Sequence, residues 1–195
     1  MTRVQAVLFH RDGVLLEGVP RSPDEVRPAP GAAETLWQLR RHGLRTGVIT
    51  LRGPLTEAET RRVDTRVDEL LGPFDVWAVC PHAADEDCHC CAPEPALLLW
   101  AAGRLCTAPA ACALVGDTAA DAEAAQRVGA RALLLPTRGN ATGREGARQA
   151  AAAWEGARAG KTEAGAGAGG SAAQIVADLP AVARALVPET PDGPG

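Results

Sequence analysis

Within eleven residues of the chain, three cysteines and a histidine form two pairs whose members are separated by one residue. The pairs are Cys80 with His82 and Cys88 with Cys90. Zinc in structural sites takes four sulfur and nitrogen ligands in a tetrahedral arrangement, and a short loop between two such pairs can wrap a single ion. Because protein would fill all four positions, the spacing predicts a closed, structural zinc site.

Two neighbouring side chains, His89 and Cys91, are competing ligands for the same ion. The alternative to a metal site is a chance cluster of buried thiols. In a reducing cytosol, closely spaced cysteines more often hold metal than form disulfides, and so tight a set is rare by chance. We therefore expect zinc, with the two pairs as its ligands.

A second group of residues combines carboxylates, a hydroxyl and an imidazole. Its members follow or end three apolar runs and are His10 and Asp12, Thr50, and Asp117 with Asp121. Carboxylates at such positions can hold magnesium, which prefers oxygen ligands and phosphate, and a threonine hydroxyl can contact a phosphate oxygen. The alternative is ordinary turn chemistry, since aspartate is common where strands end. Three such sets in order along the chain favour a functional site.

These residues need a scaffold that brings separate strand ends together. Apolar runs alternate along the chain with segments of helical periodicity, which predicts an α/β fold with a parallel sheet covered by helices on both faces. Because the carboxyl ends of parallel strands lie at one edge of a sheet, the polar residues should meet there. The expected strands are 6–9, 45–50, 74–79, 112–115 and 132–135, and the expected helices are 32–42, 56–71, 95–105 and 118–128.

The chain of 195 residues fits one domain with additional sequence at its end. We expect the domain over residues 1–139, with the zinc loop at 80–91, followed by an Ala/Gly-rich flexible segment over 140–173. Apolar residues at helical spacing then predict a C-terminal helix over 174–187 that packs on the domain. Residues 188–195 are expected to form a disordered end.

Charge and hydropathy limit the classes of partner that the chain is expected to bind. The net charge is −4, which does not favour binding to nucleic acid or to an anionic membrane. The sequence contains neither an apolar run long enough to span a bilayer nor a recognisable signal peptide, so we expect a cytoplasmic protein. We also expect a monomer. Lys161 is the only lysine in the chain, so nearly all positive charge comes from arginine.

The residues at the three strand ends resemble the motifs of haloacid-dehalogenase (HAD) phosphatases. Residues 8–14 are similar to the first motif of this family, 48–50 to the second, and 115–121 to the fourth. The loop over 80–90 resembles the zinc loop of the heptose-bisphosphate and histidinol-phosphate phosphatases within that family. The resemblance covers about residues 4–139 and implies a HAD-like, Rossmann-like fold and hydrolysis of phosphate monoesters.

In that family one aspartate attacks phosphorus, and a second, two residues later, acts as general acid and base. Magnesium neutralises the charge between them, and a lysine steadies the phosphoryl oxygens. By this resemblance His10 stands at the nucleophile position, Asp12 is the general acid and base, and Thr50 contacts phosphate. The Asp12 backbone carbonyl and Asp117 would hold magnesium, with Asp121 in support. The implied substrate is a small phosphorylated metabolite, a sugar phosphate.

The chain departs from that family at the residues that carry out the chemistry. A histidine replaces the nucleophilic aspartate, Leu51 replaces an asparagine, and Cys91-Ala92 replaces an arginine and a lysine. Thr118 stands where heptose-bisphosphate members often carry lysine, which leaves Arg52 as the candidate cation for substrate binding. Because these losses affect one step, we expect a phosphatase-derived protein, a pseudoenzyme, with weak or no turnover.

Two other functions remain open. One is an active phosphatase with altered chemistry, in which His10 accepts the phosphoryl group or Asp12 activates water. The other is a zinc-stabilised domain that binds a partner without catalysis.

Overall fold

In a computed structural model of the protein, the described residues are 2–52, 55–82, 88–136 and 173–187. Nearly all of the expected Ala/Gly-rich segment and the whole expected C-terminal end lie outside these residues. Among the described residues, no helix is long and apolar enough to cross a membrane.

The centre of the fold is a parallel sheet. Its strands stand in the spatial order β3-β2-β1-β4-β5-β6, and each neighbouring pair is parallel. Successive strands move outward in one direction from β1 and in the other direction from β4. Open α/β sheets bind ligands outside the carboxyl ends of the strands at such a reversal, so a site is expected between β1 and β4. The strands are β1 (Ala6–His10), β2 (Arg45–Leu51), β3 (Val76–Cys80), β4 (Cys112–Gly116), β5 (Arg131–Leu134) and β6 (Gln174–Ile175).

Helices connect the strands and agree within about two residues with those expected between 32 and 128. Two short 3-10 helices, Pro23–Glu25 and Pro109–Ala111, supplement them. The α-helices are α1 (Ala32–Arg41), α2 (Glu57–Leu71), α3 (Ala96–Arg104), α4 (Ala119–Arg127) and α5 (Leu179–Leu186).

Both faces of the sheet are buried, as the continuous apolar runs of the strands predict. Val7 and Phe9 of β1 belong to a core formed with α1, α2 and α5. Ala6 and Leu8, which point the opposite way, belong to a second core formed with α3 and α4. The expected α/β sheet with helices on both faces is therefore confirmed.

Capping boxes fix where two of the helices begin. Thr56 and Glu59 form a capping box at the start of α2. Thr118 and Asp121 form a second capping box at the start of α4, in which each side chain accepts from the other residue's backbone N–H. Each cap satisfies backbone donors that would otherwise lack partners, a contribution of about 1 kcal/mol.

The C-terminal segment differs from the helix expected over 174–187. Gln174–Ile175 forms a short strand that extends the sheet beside β5, and the helix begins only at Leu179. Asp178 caps that helix by accepting from the Ala181 backbone N–H. The edge of β5 offers unpaired backbone groups, and pairing with them outweighs the helical periodicity of the first residues. The helical part packs on α1.

Candidate active site and zinc cluster

Polar residues from separate strands meet at the carboxyl edge of the sheet. His10 is the last residue of β1, and Asp117 directly follows β4, the neighbouring strand. Thr50 lies near the end of β2 on the other side of β1 and is buried. Its hydroxyl donates to the Leu51 carbonyl at 3.3 Å. The strand-end residues named from the sequence therefore share one edge, at the reversal in strand order.

His10 lies in a group of possible metal ligands with Asp117 and Asp121. One donor atom from each of these three residues lies within 4.8 Å of the others. The His10 Nε2 atom is 3.2 Å from Asp121 Oδ1. This contact orients the imidazole at the position where the resemblance places a nucleophile.

The Asp121 carboxylate is held on its other side by the start of α4. Its Oδ2 atom accepts from the backbone N–H of Asp117 at 3.1 Å and of Thr118 at 3.0 Å. The Thr118 hydroxyl donates to the same oxygen at 2.8 Å. Gly116 permits this arrangement, since a Cβ at that position would lie 2.5 Å from Asp121 Oδ2. Oδ2 is thus saturated, and Oδ1 faces His10.

The Asp12 carboxylate is engaged in an ion pair with the residue before it. Arg11 Nε and Nη2 donate to its two oxygens, each at 2.9 Å. Arg11 is buried and also donates from Nη1 to Asp64 Oδ1 at 2.6 Å, on α2. Burial lowers the pKa of Arg11, but the hydrogen bonds and charges of Asp12 and Asp64 raise it more. The pKa of Arg11 is therefore above its ordinary value. Burial raises the pKa of Asp64, although the hydrogen bond and the charge of Arg11 act to lower it. Asp12 would have to leave this pair to transfer a proton.

A cavity of about 460 Å³ opens beside His10. Its wall combines the strand-end residues with the loop before α3 and with α4. Much of the lining is apolar, and among the described lining residues Arg11 is the only arginine or lysine. The apolar contributors include Ile49, Leu51, Ala92, Leu97, Leu98, Leu114, Ala120 and Ala124.

Arg52 does not line the cavity that contains His10. It lines a neighbouring cavity of about 220 Å³ with Asp64 and Cys80, and its Nε atom has no hydrogen-bond partner among the described residues. The structure thus places Arg52, the candidate cation for substrate binding, outside the cavity beside His10. Thr118 and Ala92 do line the cavity beside His10. Neither supplies a positive charge.

The zinc-loop residues form a compact cluster. Cys80, His82, Cys88 and Cys90 each offer a donor atom within 4.8 Å of the others. Cys80 Sγ lies 3.7 Å from Cys88 Sγ and 3.5 Å from His82 Nδ1, which is also 3.5 Å from Cys90 Sγ. Ligands about 2.0–2.3 Å from one zinc ion in a tetrahedron are themselves separated by roughly 3.3–3.8 Å. The cluster therefore has the ligand types and the spacing of a closed zinc site.

Cys91 is the nearest competitor within this loop. Its Sγ atom lies 3.6 Å from Cys88 Sγ, outside the four-residue cluster, and the residue lines the cavity beside His10. Burial raises the pKa of the Cys91 thiol and raises that of Cys80 to about 12. The Cys90 backbone N–H lowers the pKa of Cys88. Zinc binds thiolates, so metal binding must displace the protons of the buried thiols.

The strand-end donors fit magnesium poorly. Magnesium requires near-octahedral oxygen ligands, and here an imidazole stands where the resemblance calls for a carboxylate. The Asp12 side chain is bound by Arg11 and is not part of the group around His10, so Asp12 could offer a metal only its backbone carbonyl. The remaining protein carboxylates at this position are Asp117 and Asp121, and Asp121 is shared with the helix cap.

The sequence did not single out Arg11 and Asp64, although both control the position of Asp12. An arginine within the strand-end motif was the available signal, because a buried guanidinium requires anionic partners. Its second partner lies 53 residues away, on a helix whose facing side the sequence does not specify. From the sequence, Leu97 and Leu98 were only part of a predicted helix. Their place in the wall of the cavity beside His10 required the structure.

Comparison with known proteins agrees with this geometry. A family model described as haloacid dehalogenase-like hydrolase matches residues 4–129. The D-glycero-beta-D-manno-heptose-1,7-bisphosphate 7-phosphatase of Pseudomonas putida is 32% identical over 146 residues, covering 69% of this chain and 83% of the relative. The enzyme of the same name from Bordetella bronchiseptica is 27% identical, covering 69% and 82%.

A solved structure shares the fold over nearly the whole chain. It is the D,D-heptose 1,7-bisphosphate phosphatase from B. bronchiseptica in complex with magnesium and phosphate, with a TM-score of 0.73 and 24% identity. The alignment covers 96% of this chain and 100% of that one. The parallel sheet, the strand-end site and the family match over residues 4–129 together show that this chain belongs to the haloacid dehalogenase-like hydrolase family.

Proposed function

We propose that this chain is a HAD-type phosphatase domain that binds a phosphorylated sugar and hydrolyses phosphate esters slowly or not at all. The curated relatives are named heptose-bisphosphate phosphatases, which supports the substrate class. The observation that carries the low turnover is His10, at the nucleophile position, with its Nε2 atom 3.2 Å from Asp121 Oδ1. An imidazole held in this way cannot supply the anionic oxygen that attacks phosphorus in the family.

Two further features support slow hydrolysis. Ala92 stands where the family carries a lysine, and losing one donor in an enclosed site costs roughly 3 kcal/mol of transition-state stabilisation. Two hydrogen bonds from Arg11 hold the carboxylate of Asp12. Asp12, the expected general acid and base, is therefore not free to turn toward a substrate. These losses act on the same step and are not additive.

A second candidate function is phosphoryl transfer through His10 itself. The contact with Asp121 favours it, because a carboxylate beside one imidazole nitrogen orients the ring and supports the other nitrogen as a nucleophile. A bond would form between a His10 nitrogen and phosphorus as the ester P–O bond breaks, and the departing alkoxide would take a proton from water. Water would then release inorganic phosphate and restore the imidazole.

We also assign zinc to Cys80, His82, Cys88 and Cys90. The spacing of these donors supports a closed tetrahedral site. With four protein ligands the ion has no open position for a substrate, so its contribution is to hold the loop between β3 and α3 against the cavity. This loop carries Ala92 and part of the cavity wall.

The test is an assay of heptose bisphosphate, histidinol phosphate and other phosphate esters with magnesium. Wild type, His10→Asp and the control His42→Ala are compared, since His42 lies exposed at the end of α1. We expect wild type and the control to turn over far below the enzyme median of about 10 per second, and His10→Asp to exceed both. Wild-type turnover near that median contradicts the proposal, and a phosphate trapped on His10 then establishes the second candidate.

A further inference from the structure

A fifth sulfur or nitrogen donor lies beside the zinc cluster. Cys91 Sγ is 3.6 Å from Cys88 Sγ, yet Cys91 is not one of the four residues whose donor atoms can share one ion. Those four donors complete a tetrahedral zinc site without it. The resemblance to the phosphatase family places an arginine, not a cysteine, at this position of the loop. Cys91 is therefore a thiol that neither the zinc site nor the family's chemistry requires.

The spacing of Cys88 and Cys91 suits a disulfide bond. The two residues form a Cys-x-x-Cys sequence, the arrangement found in disulfide oxidoreductases. Their sulfur atoms have to approach by about 1.5 Å to reach an S–S bond length of ~2.05 Å. Both residues lie between β3 and α3, outside regular secondary structure, so no strand or helix has to be broken.

Three of the other cysteines are unsuitable partners for Cys91. Cys90 is its neighbour in sequence, and Cα atoms about 3.8 Å apart are closer than the ~4.4–6.8 Å that a disulfide spans. Cys112 begins β4 and Cys106 follows the end of α3, so both lie toward the opposite edge of the sheet.

Solvent access distinguishes the two remaining thiols near Cys91. Cys80 is buried at the end of β3, whereas Cys88 and Cys91 are both half-buried. Cys91 also lines the cavity of about 460 Å³ beside His10, which is large enough to admit a small oxidant. Cys88 is therefore the partner that both the oxidant and Cys91 can reach.

We propose that Cys88 and Cys91 form a site of oxidative modification, at which a peroxide closes a disulfide and the zinc ion is released. The proposal rests on the zinc assignment made with the proposed function and not on turnover of any phosphate ester. Cys88 leaves the zinc cluster when the disulfide forms. Cys80, His82 and Cys90 then remain as three donors, which is one fewer than a closed structural site requires.

The reaction consumes one hydrogen peroxide for each disulfide. The Cys88 sulfur, a thiolate in the zinc-bound cluster, attacks one peroxide oxygen. An S–O bond forms as the O–O bond breaks, and the departing hydroxide takes a proton from solvent. The Cys91 sulfur then attacks the Cys88 sulfenic acid, so that the S–S bond forms and the S–O bond breaks. The second hydroxide takes the proton of the Cys91 thiol. The two sulfurs together lose two electrons, and the peroxide is reduced to two waters.

Release of zinc reaches the cavity beside His10. Cys90, Cys91 and Ala92 line this cavity, and the zinc cluster holds the loop that carries them. Oxidation therefore loosens one wall of the cavity. In a reducing cytosol such a disulfide forms only transiently, as redox-sensing disulfides do.

The experiment uses the full chain, reduced and loaded with zinc. Bound zinc is counted first, and hydrogen peroxide is then added in small excess together with a chromogenic zinc chelator. Free thiols are alkylated, and peptide mapping without reduction identifies the sulfurs that have joined. We expect wild type to release about one zinc per chain and to form the Cys88–Cys91 disulfide. Reduction with a dithiol and addition of zinc should restore metal binding.

Variants separate this site from the other thiols. Reduced Cys91→Ser should hold its zinc, which also shows that the variant is folded. After peroxide its Cys88 sulfenic acid has no thiol outside the cluster to capture it, and further peroxide takes it to sulfinic acid, which a dithiol does not reduce. Zinc binding should therefore recover in wild type but not in Cys91→Ser. Cys106→Ser replaces an exposed thiol and should behave as wild type.

Four outcomes overturn the proposal. They are a disulfide that leaves Cys88 or Cys91 free, retention of zinc by oxidised wild type, equal recovery of zinc binding in wild type and Cys91→Ser, and loss of zinc from reduced Cys91→Ser. Failure of the zinc assignment is seen separately, as reduced wild type that holds no zinc before peroxide is added. That result overturns both the assignment and the release of zinc.

Discussion

His10 Nε2 lies 3.2 Å from Asp121 Oδ1, while the other oxygen of the same carboxylate caps helix α4. A single buried side chain therefore joins the end of β1 to the start of a helix more than a hundred residues later. The orientation of the imidazole and the stability of the helix terminus depend on the same residue.

Replacing Asp121 should show how much this carboxylate contributes to the stability of the fold. Asp121→Ala leaves the backbone N–H groups of Asp117 and Thr118 without their acceptor, and we expect a loss of about 2 kcal/mol in the free energy of unfolding. Asp121→Asn keeps an acceptor oxygen and should lose less. Urea denaturation measures both values.

The control for this comparison is Glu123→Ala, two residues later on the same helix. Glu123 is paired with Arg127 at the exposed surface, so its replacement should cost less than about 0.5 kcal/mol. Equal destabilisation by Asp121→Ala and Glu123→Ala would show that the buried cap contributes little.

Loss of a zinc ligand should lower both metal content and thermal stability. Purified wild type should contain about one zinc in the cysteine cluster, and Cys88→Ser should lose it together with several degrees of melting temperature. Cys106→Ser replaces an exposed free thiol and provides the control. Unchanged stability in a zinc-free wild type would refute the structural role.

Cys90 and Cys91 give a sharper test of the ligand set. Cys90 Sγ lies 3.5 Å from His82 Nδ1, whereas Cys91 lies outside the four-residue cluster. We expect Cys90→Ser to lose zinc and Cys91→Ser to retain it, as measured by metal analysis after exhaustive dialysis against a weak chelator. The reverse result would place Cys91 in the coordination sphere.

Restoring the family's residues should restore activity in steps. His10→Asp supplies a nucleophile, but Ala92 still offers no cation to the phosphoryl oxygens. Adding Ala92→Lys to His10→Asp should raise the phosphatase rate by a further ~100-fold, the usual effect of one positioned donor. Ala92→Lys alone should have little effect, since the nucleophile is still missing. Steady-state kinetics with a phosphate ester decide this, and a large effect of Ala92→Lys alone would contradict it.

The ion pairs of Arg11 should tolerate loss of one partner better than loss of the arginine. Burial raises the pKa of Asp64, so its ionised form is less favourable in the folded than in the unfolded protein. The stability linked to this group is present below its ordinary pKa and is lost as the pH rises through the folded value. At neutral pH Asp64→Asn should therefore cost about 1 kcal/mol or less.

Arg11→Met should be far more costly at the same pH. It leaves the carboxylates of Asp12 and Asp64 without their shared cation, and we expect a loss of about 3–5 kcal/mol. Denaturant unfolding at neutral pH measures both variants. A larger loss for Asp64→Asn than for Arg11→Met would contradict the charge argument.

The sequence by itself determined the fold class, the strand-end residues and the grouping of Cys80, His82, Cys88 and Cys90. Continuous apolar runs predict parallel strands buried on both faces, and the strand ends then share one edge of the sheet. The cluster of Cys80, His82, Cys88 and Cys90 could also be predicted from the sequence. Its four donors lie within eleven residues, and a short loop restricts how far they can separate. Thr56 and Glu59 mark the start of α2, because a capping box is a local sequence pattern.

Tertiary structure alone decided which partners those residues meet. Asp121 faces His10, Arg11 joins Asp12 to Asp64, Arg52 lines a different cavity, and Gln174–Ile175 pairs as a strand. Each of these outcomes depends on packing between segments distant in sequence. Local spacing fixes the type of an element and the face on which a residue lies. The direction of a side chain and its partner follow from how the elements pack, where burial and unpaired polar groups outweigh local preference.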